Sequence, residues 1–281
     1  MMFAARVRFK VMFEGEAILP PFTSKACKTI VIKALEASKL SAELPERKAR
    51  KPYAVTPLFK DGRALIKEER EEGYVTVKPG ETYEFELRLV GTSLTPIISS
   101  LASAPSVVEA FQRRVLLAVQ DITFKSFESM GIPEAQLLKL NFLTPALLKL
   151  PKLKELALEE TKHSLFPQPS LMIYSLALHW NKYAPDELKV DDVELLAKYA
   201  DYALMEVDYG LKPFTAVYDE KRRPRGFVGW TLYKLRRLNY KLHEQLTRLL
   251  DYANYVGIGR SRSIGFGVVK VEVKSEGLTL K

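Results

Sequence analysis

Cysteine and histidine are scarce in this 281-residue chain, and their scarcity excludes several kinds of site. The single cysteine, Cys27, excludes an internal disulfide and a multi-cysteine metal site, and it suits a reducing compartment. The three histidines, His163, His179 and His243, are not spaced as metal ligands, and no His-x-Glu occurs with a Cys-x-x-Cys. We therefore expect no metal ion and no cofactor.

Long apolar runs are also lacking, so no segment reaches the length needed to cross a bilayer. The opening residues run directly into an alternating strand pattern, which does not resemble a secretory signal. We therefore expect a cytoplasmic protein with no membrane partner.

Charge and hydrophobicity are both plentiful. Hydrophobic residues make up 47% and charged residues 27%, which is typical of a folded globular protein. The 43 Lys and Arg against 34 Asp and Glu give a net charge of +9, which favours a polyanionic partner. The length suits two domains of ordinary size.

A glycine-rich stretch near the C-terminus is the most informative part of the sequence. Two Gly-x-Gly pairs bracket two serines and two arginines, so the backbone can approach a ligand whose charge suits the arginines, such as a phosphate chain. The alternative is a glycine-rich turn between a helix and an edge strand. The candidate binding residues are Gly257, Gly259, Arg260, Ser261, Arg262, Ser263, Gly265 and Gly267.

The order of elements around this stretch excludes two common phosphate-binding motifs. A dinucleotide fingerprint follows a strand and opens a helix, whereas here an amphipathic helix precedes the loop and an alternating strand follows it. Arg262 also stands where the third glycine would be. The loop contains no Gly-Lys-Ser/Thr, which excludes a P-loop.

The first half of the chain reads as one domain. Alternation and helical spacing predict strand, helix, two strands, helix and strand, which is the ferredoxin-like order. Cys27 falls on the inner face of the first helix. The predicted ranges are a strand at 7–13, a helix at 23–38, strands at 53–60, 74–77 and 82–90, a helical stretch within 95–120 that ends near Ala118, and a strand at 122–127.

The pattern restarts around Gly131-Ile132-Pro133 and repeats with an enlarged helical insert. The predicted ranges are a strand at 137–150, a helix capped by Ser170, a helix capped by Asp191 or Asp192, a hairpin of 212–218 with 226–235, and a helix at 240–253. The sequence thus predicts an α+β protein with tandem ferredoxin-like (RRM-like) domains at 1–130 and 131–281, the second ending in the glycine-rich loop.

The C-terminal motif carries a resemblance to a known family. It reads Gly-x-Gly, five residues, then Gly-x-Gly-x-Val-x-Val, and it is entered from a helix and left by the last strand. This pattern resembles the signature loop of the repeat-associated (RAMP) RNA-binding superfamily found with CRISPR systems. The family that the chain resembles most is the endoribonuclease that cleaves the repeats of CRISPR precursor RNA. By element order and length, the resemblance covers nearly the whole chain.

The resemblance implies a site in the loop after the first helix. Many members of the family place a general acid/base histidine there and a lysine before the next strand. In this chain the loop has no histidine, while Lys51 matches the lysine. Lys28 and Lys51 are the expected core of the catalytic site, with Lys25 as a phosphate clamp; solvated surface lysines are the alternative reading.

Cleavage without histidine or metal is physically reasonable, because the attacking group is the 2′-hydroxyl of the RNA itself. Orientation of that hydroxyl and fixed cations around the phosphate can supply much of the rate. The predicted product ends are a 2′,3′-cyclic phosphate or 3′-phosphate and a 5′-hydroxyl. The alternatives are a non-catalytic RNA-binding subunit of a CRISPR effector complex and, more distantly, an RNA-binding protein unrelated to CRISPR.

Three further basic groups are candidate RNA contacts, and a solvated turn is the alternative for the hairpin tip. They are Arg47, Lys48 and Arg50 of the first loop, Lys221, Arg222, Arg223 and Arg225 of the hairpin tip, and Arg236 and Arg237 at a strand end. Trp230 and Tyr233 are expected in the core, and the histidines in structural roles. The expected partners are CRISPR repeat RNA, proteins of an effector complex and a second copy of the chain.

Overall fold

The protein is described here by a computed structural model, which covers residues 1–36, 51–92, 94–103, 106–134, 136–151 and 162–274. Within these residues the chain divides into two compact units. The first unit comprises Met1–Ser126, Thr215–Pro224 and Ser263–Gly265, and the second comprises Phe127–Phe214, Arg225–Arg262 and the chain from Phe266 onward. The boundary expected at residue 130 stays a prediction, since two short segments of the second half count with the first unit.

The first unit is a layer of helix on an antiparallel sheet. Its elements are β1 (Phe3–Phe13), β2 (Ala17–Leu19), α1 (Ser24–Glu36), β3 (Tyr53–Val55), β4 (Phe59–Lys60), β5 (Arg63–Ala64), β6 (Val75–Val77), β7 (Thr82–Gly91), α2 (Thr95–Ala102), β8 (Val107–Ala110) and β9 (Arg113–Ser126).

The main sheet of this unit has the order β5-β4-β7-β1-β9-β8, and β3 also pairs with β7. Both neighbours of β1 run antiparallel to it. Val7, Phe9 and Val11 alternate into a core that they share with Cys27 and Ile30 of α1. The predicted first strand, first helix and core position of Cys27 are confirmed, and the strand order is that of a ferredoxin-like unit.

The helical stretch predicted up to Ala118 is wrong beyond Ala102, because two strands follow α2. Val108, Val115 and Leu117 are buried at strand spacing, and this alternation with β-branched residues outweighs the helical reading. β8 and β9 pair across a turn at Phe111 and Gln112, whose φ angles are 55° and 58°. The turn residues are not glycine or asparagine, so the sequence carried no ordinary hairpin signal.

A second difference concerns the acidic and basic run at 67–72, which the sequence suggests is a solvated hairpin or turn. Glu68 forms an antiparallel bridge with Ala216. The Glu69 N–H donates to the Thr215 carbonyl at 2.9 Å, and the Val217 N–H donates to the Lys67 carbonyl at 2.9 Å. The run therefore holds the segment Thr215–Pro224 within the first unit.

The second unit contains the remaining elements. These are β10 (Leu137–Ala146), β11 (Leu148–Lys149), β12 (His163–Ser164), α3 (Pro169–Tyr183), α4 (Val193–Ala203), β13 (Leu204–Thr215), β14 (Arg225–Leu235), α5 (Tyr240–Val256) and β15 (Val269–Lys274), with short 3₁₀ turns at Asp186–Leu188 and Arg262–Ile264. The sheet order is β13-β14-β10-β15, which repeats the ferredoxin-like arrangement with one additional helix. The protein is therefore an α+β protein with tandem ferredoxin-like folds.

An aromatic cluster forms the centre of the second unit. The Phe127 ring stacks on Trp180 with centroids 4.3 Å apart, and Tyr252 contacts Trp180 edge-on at 5.0 Å. Tyr233 is fully buried, as predicted, and its hydroxyl donates to the Pro167 carbonyl at 2.7 Å. Trp230 is only partly buried, with Lys139 over its ring.

The two predicted helix caps of this unit have different outcomes. Asp192 is the N-cap of α4, because its side chain accepts from the Leu195 N–H at 2.8 Å. Ser170 is not a cap, since α3 begins at Pro169 and the Ser170 N–H donates to Asp201. Among the described residues, no helix is both long enough and apolar enough to span a membrane.

Candidate functional site

The start of α1 contacts Ser263–Gly265, the part of the glycine-rich loop that belongs to the first unit. The Ser24 hydroxyl donates to the Ile264 carbonyl at 2.7 Å. Gly265 has φ +89°, and a Cβ there would lie 2.8 Å from Pro57 Cδ and 2.9 Å from the Val55 oxygen. Only glycine fits this approach. Ser263–Gly265 is thus fixed against the first residue of α1 and the end of β3.

Two of the three predicted lysines lie on the helix that makes this contact. Lys25 and Lys28 are partly exposed on the first two turns of α1, and Lys51 immediately precedes β3. Lys28 lies about 6 Å along the helix from Ser24. Extended chain of about 13 Å separates Lys51 from Val55. The structure therefore places two of the lysines on the first turns of α1 and the third on a separate segment that leads into β3.

Tyrosine side chains hold two of these lysines. The Lys25 Nζ lies 4.3 Å from the centroid of the Tyr218 ring, and the Arg222 guanidinium carbon lies 4.4 Å from the same centroid. The Lys51 Nζ donates to the Tyr53 hydroxyl at 3.3 Å. Cation–π contact with the Tyr218 ring therefore holds Lys25 and Arg222 close to each other. Burial raises the pKa of Tyr218, so its phenol is neutral at physiological pH.

The tip Tyr218–Pro224 is organised by Asp219. The Arg222 N–H and Nε both donate to its carboxylate, at 2.8 and 2.6 Å, and the Lys221 N–H donates at 3.2 Å. These bonds lower the pKa of Asp219 to about 2, and the bond from the Arg222 side chain contributes most. The Arg223 guanidinium donates to the Asp219 carbonyl. The exposed cations of the tip are therefore held in a defined turn instead of a loose one.

Arg236 and Arg237, which the sequence suggests extend this basic surface, lie at the opposite end of β14 from Arg225. Arg225 begins β14 and Arg236 follows its last residue, so the strand of 11 residues separates them. An extended strand of that length spans about 35 Å. Arg237 instead pairs with Glu134 at 3.9 Å and lies over the Tyr240 ring. Within the second unit these arginines and Arg225 belong to different surfaces.

In the second unit the glycine-rich loop packs on the protein's own backbone. The Arg260 N–H donates to the Leu147 carbonyl at 2.9 Å, and the Gly259 N–H donates to the Ser175 hydroxyl at 3.2 Å. Gly259 has φ +88°, and a Cβ there would lie 2.7 Å from the Leu147 oxygen. The glycines therefore serve close packing within the protein, and their predicted contact with RNA stays a prediction.

The two arginines of this loop differ in environment. Arg260 is exposed, as is Ser261. Arg262 is partly buried, and its Nη1 donates to the Gly257 carbonyl at 3.3 Å. Its charge also bears on Tyr183 and Tyr252, whose pKa values are raised chiefly by burial. Arg262 thus helps to hold the end of α5, while Arg260 is exposed on the surface.

All three histidines lie in the second unit. The Nδ1 of His179 lies 2.7 Å from the Tyr252 hydroxyl, and both rings are buried. The Nδ1 of His243 is buried with no hydrogen-bond partner among the described residues. His163 lies on β12. No group of three or more His, Cys, Asp or Glu side chains is placed to hold a metal ion in the part of the chain that the structure describes.

Some predicted residues cannot be placed, and two residues of the basic tip were not predicted. Arg47, Lys48 and Arg50 lie outside the described residues. Conversely, sequence reasoning missed Tyr218 and Asp219, which orient the basic tip. No local signal reveals them, because the position of Tyr218 beside Lys25 depends on the long-range pairing of Ala216 with Glu68.

Comparison with known families agrees with this architecture. A model described as the Cas6 N-terminal domain matches residues 5–125, and a model described as CRISPR-associated endoribonuclease Cas6 matches residues 140–269. Together the two matches cover most of the chain. The chain belongs to the Cas6 family. It is accordingly an endoribonuclease of CRISPR RNA processing, as the C-terminal motif suggests.

Curated Cas6 relatives and solved Cas6 structures resemble the chain over different lengths. The CRISPR-associated endoribonuclease Cas6 1 of Saccharolobus solfataricus is 29% identical over 147 residues, which is 48% of this chain and 50% of the relative. Cas6 2 of the same organism is 23% identical over 96% of both chains. A Cas6 product complex has a TM-score of 0.69 at 18% identity and covers 96% of this chain and 99% of its own. That structure supports the fold.

Proposed function

We propose that this Cas6 family member binds CRISPR repeat RNA and cleaves it without a metal ion, by attack of an RNA 2′-hydroxyl on the adjacent phosphate. The proposed site uses Lys28 and Lys51, with Lys25 as a phosphate clamp, and no histidine. The observation that carries the proposal is the fixation of Ser263–Gly265 on the start of α1, where Ser24 bonds to Ile264 at 2.7 Å. That contact joins the family's signature loop to the helix that bears two of the lysines.

The chemistry needs few groups from the protein. The 2′-oxygen forms a new bond to phosphorus, and the bond from phosphorus to the 5′-oxygen breaks. Overall, the 2′-hydroxyl loses a proton and the 5′-oxygen gains one. Charge grows on the non-bridging oxygens in the transition state, and fixed ammonium groups stabilise it there. Because the attacking hydroxyl and the phosphate belong to the same RNA strand, orientation alone supplies a large part of the acceleration.

Other cations would hold the RNA on either side of the cleaved phosphate. Lys221, Arg223, Arg225 and Arg260 are exposed and offer phosphate contacts. Arg222 is partly committed to Asp219. Association with effector-complex proteins or with a second copy of the chain stays a prediction, as does a cytoplasmic location.

The deciding experiment incubates labelled repeat RNA with the protein in excess EDTA, beside a reaction with Mg²⁺ and one with an all-2′-deoxy repeat. We expect equal cleavage in EDTA and Mg²⁺, no cleavage of the deoxy repeat, and fragments ending in a 2′,3′-cyclic phosphate and a 5′-hydroxyl. Loss of activity in EDTA, or cleavage of the deoxy repeat, would contradict the mechanism. Tight binding without cleavage would favour the non-catalytic effector subunit.

A further inference from the structure

A second group of cations lies in the second unit, outside the predicted site. Lys149 and His163 face each other across the β11–β12 pair. The neighbouring Leu147 accepts the Arg260 N–H at 2.9 Å, so the glycine-rich loop lies directly against the start of the same short sheet. Three basic side chains from three segments are thereby brought together by backbone pairing.

The charges of the two neighbouring cations act on the His163 imidazole. Burial lowers the pKa of His163, and the positive charges of Arg260 and then Lys149 lower it further. At neutral pH the imidazole is therefore neutral, and Lys149 is its cross-strand neighbour. Like charges held together by backbone bonds repel unless an anion lies among them, so the arrangement suits a phosphate group.

An exposed aromatic residue is held beside this cluster. Phe166, three residues after His163, has 61% of its surface exposed. Its backbone is fixed, since the Phe166 N–H donates to the Ser164 hydroxyl at 3.2 Å and that hydroxyl donates to the Phe166 carbonyl at 3.0 Å. A single exposed ring is ordinary on a protein surface, but this one is fixed three residues from a basic side chain and offers a flat face to a ligand. Base stacking on aromatic rings is the usual use of such a ring beside cations.

We propose that Lys149, His163, Arg260 and Phe166 form a binding site for single-stranded RNA, in which a phosphate lies among the three basic groups and the adjoining base stacks on the Phe166 ring. The inference rests on the proposed function, since it concerns how the same RNA is held. It adds a base contact to an interface otherwise built on charge. Stacking tolerates any base, so the site holds unpaired RNA without reading its sequence.

The test uses Phe166→Trp, whose indole keeps the stacking surface and reports on it by fluorescence. The native tryptophans are the fully buried Trp180 and the partly buried Trp230, so the wild-type protein measured in parallel gives the background signal. We expect a single-stranded RNA oligomer to quench the new indole, and an abasic ribose-phosphate oligomer of equal length to bind without that quenching. Phe166→Ala should weaken binding of the RNA roughly 5- to 100-fold and leave binding of the abasic oligomer unchanged.

The charged half of the site is tested by Lys149→Ala and Arg260→Ala. Each should reduce the slope of log K against log salt by at most about 0.7, the value for one phosphate contact on a single strand. Tyr202→Ala is the matched control, because Tyr202 is 70% exposed on α4 and should not change either readout. Equal quenching by RNA and the abasic oligomer, or equal binding of RNA by wild type and Phe166→Ala, would overturn the proposal.

These outcomes are separable from the fate of the proposed function. If Phe166→Trp shows no quenching by RNA while metal-independent cleavage is observed, this site fails and the lysine mechanism stands. If the quenching is found but no cleavage occurs, the binding site stands and the catalytic proposal fails.

Discussion

The predicted lysines of the first unit and His179 of the second unit differ in exposure and in hydrogen bonding. Lys25 and Lys28 lie partly exposed on the first turns of α1. His179, in contrast, is 4% exposed and bonded to Tyr252. Histidine is the usual residue for proton transfer at neutral pH. In this protein burial commits His179 to packing, whereas Lys25 and Lys28 are accessible on the helix that Ser263–Gly265 contacts.

In the proposed mechanism, charge stabilisation by lysines takes the place of histidine acid/base chemistry. A histidine within an aromatic cluster cannot reach a phosphate without disrupting that cluster. Lysines on a helix surface keep their ammonium groups accessible while their stems pack on the protein. Variants that separate folding from catalysis test this difference directly.

The largest expected effect is on the lysines. Lys28→Ala and Lys51→Ala should each slow single-turnover cleavage by about 2 to 4 kcal/mol in the barrier, or roughly 30- to 1000-fold, because each cation acts mainly in the transition state. Groups acting on one phosphate work as a unit, so the double variant should lose less than the sum. Lys33→Ala, on the exposed last turn of α1, is the matched control.

Measurement at saturating protein is essential to this prediction. Ordinary phosphate contacts would weaken binding and leave the saturated rate unchanged. An unchanged saturated rate in both variants would place the active site elsewhere.

The next effect concerns stability. His179→Ala should lower the free energy of unfolding by about 2 to 4 kcal/mol, because it opens a cavity beside Trp180 and leaves the buried Tyr252 hydroxyl without its partner. Cleavage per folded molecule should stay within about tenfold of the parent, as for His163 and His243 variants. Urea unfolding and active-site titration check the two parts. A thousandfold loss of activity in a stable, folded histidine variant would contradict the assignment.

The sequence predicted most of the fold because alternation and helical spacing are local. β1, α1, β7 and α5 follow from hydrophobic periodicity over windows of ten or more residues. The missed β8–β9 hairpin has a turn at Phe111 and Gln112, residues that do not signal one. The pairing of Glu68 with Ala216 is non-local, and a charged run gives no indication of it.

The candidate site was predictable to a smaller extent. The signature loop was found from its glycines, but their physical role was not. Glycine was expected to admit a ligand or to form a turn, and the structure adds that Gly259 and Gly265 admit the protein's own carbonyls. The spacing of the glycines indicates that other atoms pack closely on this backbone, and only the fold shows which atoms these are. The same limit made Arg260 and Arg262 look equivalent.

Those two arginines give the third prediction. Arg262→Ala should lower the free energy of unfolding by about 1 to 2 kcal/mol, since it removes a charged donor to the Gly257 carbonyl at the end of α5. Arg260→Ala should leave stability within about 0.5 kcal/mol, since its side chain is exposed. Thermal or urea unfolding measures both.

The salt dependence of RNA binding also bears on the role of Arg260. If about five to eight phosphates are contacted, the wild-type salt slope is roughly −3.5 to −5.5, and Arg260→Ala should make it shallower. A slope near zero would show that binding is not electrostatic. Equal destabilisation by both arginine variants would show that the two positions are equivalent after all.

The smallest expected effect compares how the units form their left-handed turns. The second unit places glycine at Gly257 and Gly259, with φ of 76° and 88°, whereas the first unit places Phe111 and Gln112 at φ 55° and 58°. A side chain in this region costs roughly 1 to 2 kcal/mol, and glycine there costs almost no strain but more chain entropy. Gln112→Gly should therefore stabilise the protein by about 0.5 to 1 kcal/mol, seen as a higher urea midpoint. Gly265→Ala is the opposite case, because its Cβ would meet the Val55 oxygen at 2.9 Å, and it should destabilise the same unit. If Gln112→Gly lowered the midpoint, the entropy of the unfolded chain would outweigh the strain at this turn.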